Sequence, residues 1–310
     1  MSPKTVLVFG PTGGVGGVAA LTAAKRGAKV WLAMRDTSKP TTTFSSSEEA
    51  ALGLHRVQAD LSDPSSLKAA VQKSGATHAF IYLIFEAQDA MRGALTALKE
   101  GGIKYIVFLS SQSVQGDLRK IPQENYVPFQ HAQVELAIED LGLALTAVRP
   151  AWFSSNLFQF NAGIQSGVVN IFVPDARFDF VDRDDIGAIA GVILAEEEFQ
   201  EGKPGKAARP IFVIGAELIS QRDAISTVGK FLGRNLKINE LKTKEEYFEK
   251  NSHVPRPILE GLAKAFEFHK DPTAVYSMMD EAHANLERLT GRKPTTLEKW
   301  VEAHKAEFDA

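Results

Sequence analysis

The chain has 310 residues, 44% of them hydrophobic, with 24 glycines, 14 prolines, no cysteine and a formal net charge of -3. That length and apolar content suffice for a full core, in one large domain or two modest ones. The absence of cysteine excludes disulfides, thiol nucleophiles and thiolate-ligated metals, and the mild negative charge gives no electrostatic reason for nucleic-acid or anionic-membrane binding.

Met1 leads almost directly into an apolar run, leaving no room for a signal or transit peptide, and the apolar stretches are strand-length rather than membrane-length. A cytoplasmic protein without a membrane partner is expected. Thr5-Phe9 reads as a strand that runs into Gly10-Pro11-Thr12-Gly13-Gly14-Val15-Gly16-Gly17 and then a helix to about Arg26. In this strand-turn-helix setting the glycines have separate tasks. Gly10 permits the tight turn, Gly13 lets backbone approach a pyrophosphate, and Gly16 lets the helix pack close to the strand. The first-turn amides around Gly14 and Val15 would hold the phosphates, so a dinucleotide site is expected.

The second strand, Lys29-Met34, ends at Arg35. An NAD site wants a carboxylate at this point for the ribose hydroxyls, whereas an NADP site wants a cation for the 2′-phosphate. Arg35, followed by Lys39 and assisted by the Thr12 hydroxyl, favours NADP(H); in the alternative, Asp36 turns inward to the ribose. Thr37 to Ser47, rich in Thr and Ser and containing Pro40, reads as a loop beside the adenine-ribose end.

Strands follow at Leu54-Gln58, His78-Ile84, Tyr105-Ser110 and Ala144-Val148, alternating with helices near Ser65-Lys73, Asp89-Glu100 and Pro128-Leu141. This rhythm predicts an α/β fold, a Rossmann-type doubly wound parallel sheet over residues 1–150, with later segments free to return to it. Tyr82 and Phe85, at the end of the fourth strand, would shape the dinucleotide channel. Ser110, Ser111 and Gln112, at the end of the fifth, are placed to bond a carboxamide or a substrate oxygen. In the next helix Val127, His131, Val134, Ile138 and Leu141 share one face, which turns His131 toward the sheet. An imidazole there can bond a ribose hydroxyl or donate a proton, and the plainer alternative is a core histidine bonded to backbone.

Residues 151–310 are expected to form a smaller mixed, substrate-binding lobe over the carboxyl ends of the strands. Its first segment carries Trp152, Phe153, Phe158 and Phe160 around Asn156, a composition that suits either a small hydrophobic or aromatic molecule or ordinary core between the lobes. A small-residue helix from Asp184 to about Ala195, an exposed connection over Glu196 to Arg209 and a strand at Ile211-Ile214 come next. Helices near Ser220-Gly229, Thr243-Lys250 and Ile258-Phe266 precede a helical tail from Thr273 to Leu289 that resumes at Thr296-Phe308. His253, His269, His283 and His304 lack the spacing of a zinc site, so no metal is expected.

Gly10-Pro11-Thr12-Gly13-Gly14-Val15-Gly16, Ala59-Asp60-Leu61-Ser62-Asp63, Ser110-Ser111, Glu135, Arg149-Pro150 followed by Asn156, and Asp184-Asp185-Ile186-Gly187 together resemble the NmrA-like group of atypical short-chain dehydrogenase/reductases, over roughly residues 4–290. The resemblance implies NADP(H), Asp60 near adenine, and a substrate cleft between two lobes. Enzymes of the group reduce C=C, C=O or C=N bonds of small, often aromatic compounds, as in natural-product metabolism, whereas other members bind the dinucleotide as redox sensors or regulators. The resemblance also aligns His131 with the lysine, and Val127 with the tyrosine, of the usual catalytic pair, with Tyr126 adjacent. Three readings stand: an NADPH-dependent reductase with His131, Ser110 and Tyr126 as catalytic candidates, a non-catalytic regulator with a protein partner, and a cyclase or isomerase on a reductase fold. Either a monomer or a homodimer fits.

Overall fold

The computed structural model describes residues 3–196, 210–271 and 279–309. The first half runs β1 (Thr5–Phe9), α1 (Gly14–Lys25), β2 (Lys29–Met34), α2 (Ser46–Ala51), β3 (His55–Gln58), α3 (Pro64–Ser74), β4 (His78–Tyr82), α4 (Arg92–Gly101), β5 (Tyr105–Leu109), α5 (Tyr126–Asp140) and β6 (Ala144–Pro150). After a 3₁₀ segment, Ser154–Phe160, come α6 (Asn161–Ser166), β7 (Val168–Phe172), β8 (Arg177–Phe178), α7 (Arg183–Ala195), β9 (Ile211–Val213) and β10 (Ile219–Ser220). The chain closes with α8 (Gln221–Leu232), β11 (Lys237–Leu241), α9 (Lys244–Lys250), α10 (Arg256–Phe268), α11 (Met279–Thr290) and α12 (Leu297–Ala303).

Seven strands form one parallel sheet in the order β3-β2-β1-β4-β5-β6-β9. Both of its faces are covered, which explains why its inner strands are apolar at successive positions instead of alternating with polar residues. Val6, Val8, Leu32 and Val107 pack into the layer that contains α1 and α7, while Leu7, Phe9, Ile81, Ile106 and Phe108 pack into the layer of α3, α4 and α5. The strand order reverses between β1 and β4. A crevice opens at the carboxyl ends of the strands at such a switch point, here between Gly10 and Tyr82.

The chain crosses back to this sheet after residue 150. β9 pairs with β6, and α7 lies along α1 so closely that a Cβ at Gly187 would stand 2.6 Å from the Val15 carbonyl oxygen and one at Gly191 2.6 Å from that of Ala19. α11 also returns to the sheet, with Leu286 and Leu289 in the layer of α1 and α7, while the other C-terminal elements have their own core, built on Phe178, Phe266, Trp300 and Phe308. The pairs β7-β11 and β8-β10 belong to this lobe.

Several expectations need correction. The loop after β2 is shorter than Thr37–Ser47, because Ser45 and Glu48 form a reciprocal capping box that starts α2. Phe44 is buried in the sheet's core, which anchors the loop. α4 begins at Arg92 and not at Asp89, since Ala90 and Met91 adopt positive φ (53° and 60°) and Asp89 Oδ2 accepts from the Gly93 amide at 2.7 Å. β7 and β11 were not anticipated. The strand expected to reach Ile84 ends at Tyr82, and that expected to reach Ile214 ends at Val213. The connection after Glu196 and the tail's start at Thr273 lie outside the described residues.

Candidate functional site

The turn after β1 is set by backbone crowding. A Cβ at Gly16 would sit 2.3 Å from the Gly10 carbonyl oxygen, so α1 can start hard against the strand only with glycine there. Gly10 itself has φ +67°, with the Tyr82 ring against it, and the Gly13 amide donates to its carbonyl at 3.0 Å. α1 has no side-chain cap and no acidic residue in its first turn. Its first amides, which lack intrahelical acceptors, therefore present an uncompensated positive end. Gly14 lies at that end, while Val15 and Gly16 are buried against the neighbouring elements.

Gly10, Thr12, Arg35, Lys39, Asp60 and Tyr82 come together around a cleft of about 150 Å³ at the switch point. Arg35 and Lys39 are exposed. Asp36 is engaged locally: its Oδ1 accepts from the Ser38 amide (2.9 Å) and hydroxyl (2.6 Å), and these bonds, the hydroxyl's first, hold its carboxyl below the usual range. Asp60 Oδ1 likewise accepts from the Ser62 amide and hydroxyl. Burial pushes the Tyr82 phenol up, against the opposing charge of Arg35. The loop beyond Arg35 folds back over the glycine turn, where Thr42 donates to the Thr12 carbonyl at 3.2 Å and Thr43 occupies the space a side chain at Gly17 would need.

At the carboxyl ends of β5 and β6 the polar groups divide into engaged and available ones. Ser110 is buried and donates to Glu135 Oε1 at 2.5 Å, and Arg149 donates to both oxygens of the same carboxylate and to the Val114 carbonyl. Ser111 pairs with Ser113. The Gln112 backbone N–H donates to the Pro150 carbonyl at 2.9 Å, yet its side-chain Oε1 is buried without a hydrogen-bond partner among the described residues. A buried acceptor of this kind is costly unless something donates to it.

His131 bonds through Nδ1 to the Val127 carbonyl at 2.9 Å, one turn back in α5. A carbonyl can only accept, so Nδ1 carries the proton and Nε2 of the neutral ring is an acceptor. Burial lowers the imidazole pKa, the Val127 bond opposing it. The Phe85 ring stands edge-on to His131 at 5.8 Å and stacks with Tyr126 at 6.1 Å, so these three form one aromatic group.

Trp152 and Phe153 part ways. The indole stacks on Phe178 at 4.6 Å and meets Phe266, inside the C-terminal lobe, whereas Phe153 packs against the sheet's core. Phe158 packs on Trp300 and Phe308. The Asn156 backbone accepts from Gln159, and its side chain is half-buried.

Three residues at or near the site escaped sequence reasoning. Arg56 binds the Thr37 and Lys39 carbonyls, Arg183 lies against Gly14, and Asp179 is fully buried beside Trp152 with neither carboxyl oxygen hydrogen-bonded among the described residues. Only Asp179 carries a local signal, as the one charge between Phe178 and Phe180. Arg183 is camouflaged by Asp182, Asp184 and Asp185.

The pattern of the NmrA-like family matches residues 2–301. The chain belongs to this family. It is 38% identical to the nitrogen metabolite regulation-like protein bik4 of Gibberella fujikuroi, over 96% of this chain and 95% of that one. It is also 26% identical to the NAD(P)H azoreductase of Xenophilus azovorans, over 98% and 99% of the two chains. Its fold is similar to that of the NADPH-dependent quinone oxidoreductase of Escherichia coli complexed with NADPH, with a TM-score of 0.72 at 20% identity, covering 96% and 99%. The relatives in sequence thus include a protein named for regulation and one named for reduction.

Proposed function

We propose that the protein is an NADP(H)-dependent reductase of a small aromatic or conjugated acceptor: a carbonyl, enone, quinone or imine. The observation that carries this reading is the pair Arg35 and Lys39 at the cleft beyond β2, with Asp36 already held by Ser38. Two cations and an occupied carboxylate suit a 2′-phosphate better than bare ribose hydroxyls. The buried, partnerless Gln112 Oε1 supports the fit at the other end, where a carboxamide N–H would satisfy it.

When bound, the nicotinamide supplies the hydride. His131, neutral and protonated at Nδ1, would accept a hydrogen bond from a ribose hydroxyl at Nε2 and so orient the cofactor; it is not the acid in this reading. Tyr126, stacked on Phe85, provides the proton. Ser110, whose own proton goes to Glu135, holds the ends of β5 and β6 in place. Trp152, Ser111 and Asn156 border the acceptor, and Phe153 supports this border from the sheet side.

A second reading, a regulator that binds the dinucleotide without turnover, draws on Val127 in the place of the usual tyrosine and on the name of the Gibberella relative. The test is NADPH oxidation by the cofactor-loaded protein across quinones, enones and imines. Turnover supports the reductase. No oxidation across the series overturns it in favour of the regulator, and product formed without NADPH consumption points to a cyclase or isomerase.

A further inference from the structure

α1 and α7 run in the same direction, since Gly187 meets Val15 and Val18 while Gly191 meets Ala19 and Thr22. Both helices therefore present their positive ends at the carboxyl edge of the sheet. The two ends are treated differently. α7 is compensated by its cap Asp182 and by Asp184 and Asp185 in its first turn, whereas α1 has no acid there. Arg183, the first residue of α7, lies across this uncompensated end: a Cβ at Gly14 would stand 3.1 Å from both its Cδ and its Nε. The missing side chain of Gly14 is what makes room for it.

Among the described residues no carboxylate comes within 4 Å of the Arg183 guanidinium. Asp184 interacts with it only at longer range, and Asp185 is taken by Arg292 at 3.2 Å and by the Thr295 amide. A half-buried cation resting on a positive helix end is repelled unless an anion joins the two. Resting on the dinucleotide reading above, we propose that Arg183 clamps the cofactor's pyrophosphate beside the glycine turn, at the amino end of α1. The cation thus comes from the second half of the chain, directly after the Phe178–Val181 segment that packs on Trp152, so cofactor binding also fixes that lobe against the sheet.

The experiment compares wild type, Arg183→Ala, Arg183→Lys and Arg35→Ala by fluorescence titration with NADPH, NADH and adenosine 2′-monophosphate, which lacks a pyrophosphate. A clamp predicts that Arg183→Ala weakens NADPH and NADH alike by roughly ten- to hundred-fold, as for loss of a charge-assisted contact, with partial recovery in Arg183→Lys and unchanged binding of the monophosphate. Thermal melts confirm that each variant is folded. Wild-type affinity for NADPH in Arg183→Ala, or an equal loss for the monophosphate, overturns the clamp and leaves the cofactor reading intact. Failure of wild type to bind either dinucleotide overturns both.

Discussion

Arg56 grips Glu49 through two parallel hydrogen bonds, Nε to Oε1 at 2.6 Å and Nη2 to Oε2 at 2.7 Å, and spends its remaining nitrogen on the carbonyls of Thr37 and Lys39 at 2.7 and 2.8 Å. A carboxylate of α2 and a side chain of β3 thereby fix the turn that follows Arg35. A planar fork is required for this arrangement, and lysine cannot supply it. Arg56→Lys is expected to weaken NADPH binding by about ten-fold while leaving NADH within about two-fold, measured by fluorescence titration. Equal loss for the two cofactors would mean that the fork does not organise a 2′-phosphate site.

Arg35 itself should show the larger selectivity. Arg35→Ala is expected to cost NADPH affinity by roughly ten- to hundred-fold, the worth of a charge-assisted contact to phosphate, with little change for NADH. Competition between the two cofactors in a single titration reads this ratio directly.

Glu135 and Arg149 form an ion pair with side-chain exposures of 3% and 7%, completed by Ser110 and the Val114 carbonyl. Removing one partner strands the other charge in the core. Glu135→Ala should therefore lower the unfolding free energy by about 3–5 kcal/mol, seen as a reduced urea midpoint. Ser110→Ala deletes one of several bonds to the carboxylate and should cost about 1–3 kcal/mol. A Glu135→Ala protein as stable as wild type would contradict this account of the pair.

His131 offers a kinetic test. Since its ring is kept neutral by burial and its Nδ1 proton is given to Val127, the folded protein holds it in the acceptor form through neutral pH. His131→Ala should raise the KM for NADPH more than it lowers kcat, and the kcat profile should lack a group titrating near ~6.5. A fall in kcat of about 10²-fold or more at saturating NADPH would restore His131 as the acid.

Asp179 makes stability depend on pH. Burial pushes its carboxyl up to about 7 from 3.8. Below the unfolded value both states hold the proton. Between 3.8 and about 7 the unfolded chain releases it and the folded chain keeps it, so stability declines as pH rises and levels off beyond. Asp179→Asn, neutral throughout, should gain thermal stability over wild type progressively across that window and hold the gain above it. A gain independent of pH would show that Asp179 ionises freely in the fold.

The strand-turn-helix at Gly10, the cation at Arg35 and the direction of His131 were legible because each depends on local chemistry: a turn that needs glycine, a strand end, a helical face. β7 and β11 were not, because Val168–Phe172 and Lys237–Leu241 are short, mixed segments that become strands only by pairing with each other across the lobe. The same limit hid Arg183 and Arg56. Nothing near Arg183 in sequence says that it will rest on Gly14, and Arg56 looks like any polar strand residue until the Thr37–Lys39 carbonyls arrive beside it. Ser110 misled in the other direction, since a serine at the end of β5 suggests an available hydroxyl and its donation to Glu135 depends on a helix 25 residues on.

The glycine-paved contact between α1 and α7 has a bearing on how the protein is made. The helix that must cover α1, and the strand that must cover β6, are translated only after more than half the chain has left the ribosome. Until then the growing polypeptide carries a bare stripe at Val15, Val18, Ala19 and Ala23 and an open hydrogen-bonding edge along β6, both of which invite wrong partners. Contacts of such long sequence separation form slowly. The nascent chain therefore has a prolonged sticky stage, and a fragment ended near Pro150 would be expected to aggregate rather than persist as a small nucleotide-binding module.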